Sequence, residues 1–191
     1  IQRFIHETHT YKQGIKHFEI NPPLKRGPIG YTEAHCFLIR TDILKKINGF
    51  DENVKGTREH VDFSLMVRQA GGMIYLEPKS IMTFMSHFSA AKLEPWEEDF
   101  YNLRWSDAWE YDTLKYLLKK WDLTESSYFK KRYNNLGWRR RAFSVKPKVQ
   151  NVKPRILKRL MEEVLIAIDK VNNKKLTDDF ARKSDRKIHY N

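Results

Sequence analysis

The stretch Arg58-Glu59-His60-Val61-Asp62 puts a guanidinium, two carboxylates and an imidazole within five residues. On a helix, Glu59 and Asp62 lie three apart and share a face, and the free amides of a first turn favour negative charge there. His60 projects about 100° away from Glu59. A carboxylate or a neutral imidazole, whose ordinary pKa is about 6.5, serves as general base toward a hydroxyl within hydrogen-bond reach. The plain alternative for the trio is a helix cap with solvated charges. Farther on, His87 follows a β-like run and offers a nitrogen ligand, although a lone His at a strand end is more often a surface residue. Arg104-Trp105 pairs a guanidinium suited to two-bond phosphate contact with an indole face suited to stacking. Against that, Trp105 and Trp109 stand four apart and fit equally well as the core side of one helix.

The elements that must position these groups are readable from periodicity and breakers. The run Tyr31 to Arg40 becomes apolar toward its end and reads as a buried strand. Thr41 or Asp42 caps a short helix, Ile43 to Ile47, that stops at Asn48-Gly49. Phe50 then returns to the core. Arg58 to Ala70 carries Val61, Phe63, Leu65, Met66 and Val67 at helical spacing and stops at Gly71-Gly72. Met73 to Leu76 and Ser80 to Met85 read as two short strands around Pro78. Glu97 to Trp121 is the longest helical pattern, and a short helix is expected near Ser126 to Tyr133. Pro147 and Pro154 mark a linker before a last helix, Arg155 to Val171, with one apolar stripe. Strand, helix, strand order implies an α/β layer.

The 191 residues are 40% hydrophobic, 13% aromatic and 31% charged, with a mean hydropathy of −0.70. That composition excludes a disordered or fibrous chain, and no run of about 18 apolar residues spans a membrane. One cysteine, Cys36, leaves no internal disulfide and no cysteine-rich zinc site, and mildly favours a reducing, cytoplasmic compartment. Up to Tyr128 there are 17 Lys and Arg against 18 Asp and Glu; beyond it there are 19 against 6. The whole of the +12 excess therefore sits in the last third, which fits contact with an anionic partner such as phosphate, nucleic acid or an acidic membrane surface, or a solvated tail without one.

One block has a familiar order: the strand to Arg40, Gly49-Phe50-Asp51-Glu52, Arg58-Glu59-His60-Val61-Asp62, Gly71-Gly72 with Met73 to Leu76, Pro78, and His87. It resembles the acceptor-side half of family 2 glycosyltransferases of the GT-A fold, over about Tyr31 to Trp121. The resemblance implies an α/β, Rossmann-like domain that transfers a sugar from a nucleotide-diphosphate donor to a hydroxyl of a glycan, lipid or protein, with inversion. It implies Glu59, His60 and Asp62 as the catalytic candidates; His60 stands where the family usually has the Asp that acts as base, which leaves His60 and Glu59 both open for that role. It implies Arg58, Arg104 and Trp105 as substrate-binding residues, although Tyr101 stands where the related Gln-x-x-Arg-Trp element has its Gln. It implies a divalent Mn or Mg ion, with His87 touching that metal or the diphosphate.

The donor half of such an enzyme, with its nucleotide-binding sheet and Asp-x-Asp metal element, would precede Tyr31, and no Asp-x-Asp occurs there. The expected organisation is thus an extended lead-in over 1–30, linking to a donor half that lies elsewhere and holds most of the metal ligands, an acceptor-side part over 31–121, and a basic helical extension over 122–191. The stripe of the last helix can pack on the catalytic layer, pair with a second chain, or lie peripherally on an anionic membrane; Glu162, Glu163 and Asp169 favour packing or pairing. Two further readings are a nucleic-acid-binding module, for which Tyr128, Phe129, Tyr133, Trp138 and Phe143 interleave with basic residues, and a catalytically inactive partner subunit.

Overall fold

The computed structural model describes residues 25–32, 36–80, 94–125 and 127–188. They fall into two compact units, one holding the described residues up to Val54 and from Arg58 to Ser80, the other Lys55–Thr57 and everything from Glu94 onward. Helices make up most of the described chain, with a single two-stranded ladder.

In the first unit, β1 (Gly27–Pro28) pairs antiparallel with β2 (Tyr75–Leu76), Gly27 opposite Leu76. The ladder is extended by Ile29 N–H donating to the Ile74 carbonyl at 2.9 Å. Helix α1 (Thr41–Lys46) has Asp42 in its first turn and Lys45 and Lys46 in its last, the polarity that complements a helix dipole. It closes through left-handed Asn48 and Gly49, φ 57° and 78°, where Gly49 N–H reaches back to the Leu44 carbonyl. Phe50 then stacks on Phe63 of α2 (Glu59–Gln69) at 4.5 Å, and Phe37 closes the cluster at 5.3 Å from Phe63. Lys46 joins the two helices by donating to the Ala70 carbonyl at 2.6 Å.

One strand expectation is corrected here and another shortened. Residues 36–40 of the expected Tyr31–Arg40 strand form no ladder: Leu38 is fully exposed, and Thr32 N–H donates to Ser64 Oγ at 3.1 Å instead of to a neighbouring strand. An apolar run becomes a buried strand only when a partner takes its backbone groups. Of Met73 to Leu76, Tyr75 and Leu76 form the register pairs and Ile74 adds its carbonyl to the bond from Ile29; beyond Ser80, the Ser80 to Met85 run lies outside the described residues. A Rossmann-like sheet is therefore not seen among the described residues, whereas the helical character of the basic extension is.

The second unit packs helices α3 (Pro95–Arg104), α4 (Asp107–Lys120), α5 (Ser127–Tyr133), α6 (Trp138–Ser144), α7 (Lys146–Val149) and α8 (Arg155–Ile188). Its apolar core is Leu103, Leu114, Leu117, Val145 and Val149, all buried. The expected continuous helix from Glu97 to Trp121 is two helices. The break has a local cause, Ser106, whose buried hydroxyl accepts from Trp109 N–H at 3.2 Å as the cap of α4. The backbone groups freed at the break are taken up by other helices: Arg140 donates to the Trp105 carbonyl at 2.8 Å, and Asn173 Oδ1 accepts from Asp107 N–H at 3.2 Å. Pro147 is not a linker residue; it sits in the first turn of α7, where a missing N–H costs nothing. The last helix runs 34 residues, well past the expected end at Val171.

Candidate functional site

Arg58, Glu59, His60 and Asp62 gather at the N-terminus of α2. Arg58 precedes the helix in a left-handed conformation, φ 69°, which a residue with a Cβ adopts at a cost of about 1 kcal/mol. Its carbonyl already accepts the first helical bonds, from Val61 and Asp62 N–H at 3.0 and 3.1 Å. The three titratable side chains differ in exposure. Asp62 is buried, 1% exposed, while Glu59 and His60 are half-buried at the surface. His60 is held on two sides: its ring lies 5.8 Å from that of Tyr31, and its carbonyl accepts from Ser64 Oγ at 2.6 Å. Ser64 in turn accepts from Thr32 N–H, so the first turn of α2 is tied to the segment after β1. Of the three catalytic candidates, Asp62 is enclosed, whereas Glu59 and His60 are partly open to solvent.

Arg104 and Trp105 lie in the other unit, at the α3 end that meets the Ser106 break. Trp105 is the C-cap of α3 and Trp109 belongs to α4, so the two do not form one helix face. Trp109 instead packs edge-on against Phe180 at 5.6 Å. The Trp105 ring is engaged by two guanidiniums, Arg139 at 4.2 Å and Arg104 at 5.2 Å, and Arg139 lies 5.4 Å from the Trp138 ring. Arg132 follows at 5.9 Å from Trp138. The result is an alternating run of guanidinium and indole, in which each pair contributes roughly 0.5–1 kcal/mol at a partly exposed site. Tyr101 supports it, donating its hydroxyl to the Arg139 carbonyl at 3.2 Å and meeting Phe143 edge-on at 5.0 Å. Burial raises the Tyr101 phenol above its ordinary value, with Arg139 pulling the other way.

Beneath this run is a buried ionic network that sequence reading did not anticipate. Arg140, 1% exposed, donates Nη2 to Asp169 at 2.7 Å and to Asp107 at 2.9 Å, and Nε to both Asp169 oxygens at 3.1 Å. Ser144 Oγ donates to Asp169 at 3.0 Å. Burial pushes the Arg140 guanidinium down, but the bonds to Asp169 and Asp107 outweigh it and raise it above its ordinary value. A second buried carboxylate, Glu110, holds Arg132 and the Gly137 N–H, the latter at 2.9 Å. The one available signal was the run Arg139-Arg140-Arg141, whose middle member points inward while Arg139 stacks outside. The aromatics that favoured nucleic-acid binding have internal partners too: Tyr133 meets Tyr111 at 5.7 Å and Phe129 at 6.4 Å.

Among the described residues no group of three or more His, Cys, Asp and Glu is placed to hold a metal ion, and His87 lies outside them. Among the described residues no helix is long and apolar enough to cross a membrane. No protein-family model, no curated protein and no solved structure matches this chain.

Proposed function

We propose that this chain is the acceptor-side part of a family 2 type glycosyltransferase, moving a sugar from a nucleotide-diphosphate donor to a hydroxyl acceptor with inversion. The observation that carries the reading is the first turn of α2. Its accessible Glu59 and His60 follow a strained Arg58, and the Phe50 of Gly49-Phe50-Asp51-Glu52 is stacked on Phe63 of the same helix. The motif and the acidic turn are thus one packed object. In the transfer, the acceptor oxygen forms a bond to the anomeric carbon as the bond to the diphosphate breaks; the hydroxyl proton passes to His60 or Glu59, and the departing diphosphate keeps the electron pair. Bound Mn or Mg would neutralise charge on that diphosphate; the described residues do not by themselves form its site. Arg104 and Trp105 remain candidates for substrate contact through the guanidinium edge, since the indole is already engaged by Arg139 and Arg104.

The test is transfer from a panel of nucleotide-diphosphate sugars by the full-length protein that carries these residues. His60→Ala and Glu59→Gln are expected to separate: the base variant loses about 100-fold or more in kcat, the other far less. Wild-type turnover untouched by both substitutions, or no turnover with any donor while the protein is folded, would overturn the reading.

A further inference from the structure

Helix α8 packs inward on a side that carries Asp169, Asn173 and Thr177 together with Phe180, which meets Trp109. Asn173 and Thr177 are buried and the Asp169 side chain is 10% exposed, and the three face the other helices of the unit, bonded to Arg140, Asn102 and the helix backbone. On the opposite side Leu157, Leu160, Met161, Val164, Ile168 and Val171 lie open to solvent, Val164 at 59% and Val171 at 69% exposed. At 100° per residue these six fall within one arc of under 120°, facing away from Asp169 and Asn173. The stripe is about 21 Å long. With Ile156, itself exposed, it presents roughly 700 Å² of apolar surface, more than the largest patch of about 300–600 Å² on a typical monomer and near the about 800 Å² per partner of a standard interface.

The geometry points to a second copy of this chain as the occupant, with the two α8 helices antiparallel about a two-fold axis. This inference is independent of the proposed catalytic role. Read as heptads, Leu157, Val164 and Val171 take one seam position and Leu160 and Ala167 the other. Antiparallel pairing then sets Val164 against Ala167 of the second copy and Leu160 against Val171. In the same register Glu163 faces Lys170 on one flank, twice by symmetry, and Met161 faces Ile168 on the other. Parallel pairing would set Lys170 beside Lys175 and leave Glu163 beside an isoleucine. Glu163 now bonds Arg159 of its own helix at 3.0 Å, both well exposed, and that contact is easily shared. A lipid surface fits less well, because acidic Glu163, Asp178 and Asp179 border the stripe.

Sedimentation velocity and light scattering over a concentration series, on the full chain, test this. Wild type is expected at twice the monomer mass. Val164→Glu, at an exposed position, keeps its circular dichroism and weakens association about 100-fold or more. Glu163→Lys and Lys170→Glu alone each weaken it about 5–10-fold, since each makes two like-charge contacts, and the double exchange restores it to within about 2-fold. A monomeric wild type overturns the inference; if that monomer sediments with phosphatidylserine vesicles and Val164→Glu does not, the face belongs to a membrane. A dimer indifferent to Val164→Glu, or charge exchanges that fail to rescue each other, overturns it as well.

Discussion

Replacing Arg140 by Met removes the cation that holds α6, α8 and the α3–α4 junction together. Asp169, whose side chain is 10% exposed, would keep only Ser144 Oγ among its described partners, and the Trp105 carbonyl would lose its donor. Asp107 would retain Arg141 at 4.0 Å. An uncompensated buried carboxylate costs about 3–5 kcal/mol. Asp169→Leu leaves Arg140 with Asp107 and the carbonyl, and forfeits charged hydrogen bonds for about 2–3 kcal/mol. In Arg140→Met/Asp169→Leu both charges are gone and the space is refilled by apolar groups, so the loss falls to about 1–2 kcal/mol. The double variant is thus more stable than Arg140→Met, and the coupling within the pair is about 3 kcal/mol or more. Urea unfolding followed by circular dichroism measures all four proteins; if either single variant does not fold, the refolding of the double variant carries the same information. Additive losses, with the double variant the least stable, would refute the claim that this network is one ionic unit.

Gly137→Ala should destabilise by at least about 2 kcal/mol, since Gly137 has φ 69° and a Cβ there would collide with Asp107 Oδ1 and lie 2.8 Å from Arg140 Nη2; an unchanged melting temperature would contradict this. Ser106→Ala loses the α4 cap, at about 1 kcal/mol, and Ser106→Gly less, read by the same urea titration. The part-buried phenols of Tyr101 and Tyr133 give a pH signature. Tyr101 and Tyr133 are raised above 10.0 by burial, so the native state keeps protons that the unfolded chain releases. Stability is full below that pH and falls as pH rises past it; Tyr101→Phe and Tyr133→Phe flatten the alkaline decline of the melting temperature.

Local signals read well where the chain itself supplies the answer. The Asn48-Gly49 stop of α1, the Gly71 stop of α2 and the start of α8 after Pro154 follow from residues that permit or forbid particular backbone angles. Strand reading failed at 36–40 because an apolar run does not reveal whether another strand will take its amides. The break at Ser106 was missed for a related reason. Apolar residues continue in helical register from Phe100 to Leu118, and a buried serine capping the second helix is weak against that pattern until the Arg140 and Asn173 contacts at the junction are known.

The candidate site divides along the same line. Placement of Glu59, His60 and Asp62 on one helix turn is a property of sequence spacing, but their different burial is not: Phe63 and Ser64 set how deep the turn sits, and that carries Asp62 inside. Helix α8 is the stronger case. An amphipathic pattern predicts that the apolar stripe faces its own domain, because burying it is the main source of stability. Here the inward surface had already been made polar by Arg140, so the side of α8 that fits it is the one with Asp169, Asn173 and Thr177. Once Asp169 is fixed against a buried guanidinium, rotating the helix to hide Val164 would strand both charges at a cost of about 3–5 kcal/mol. The Arg140–Asp169 contact thus fixes how α8 is turned about its axis, and in that setting the apolar face lies outward.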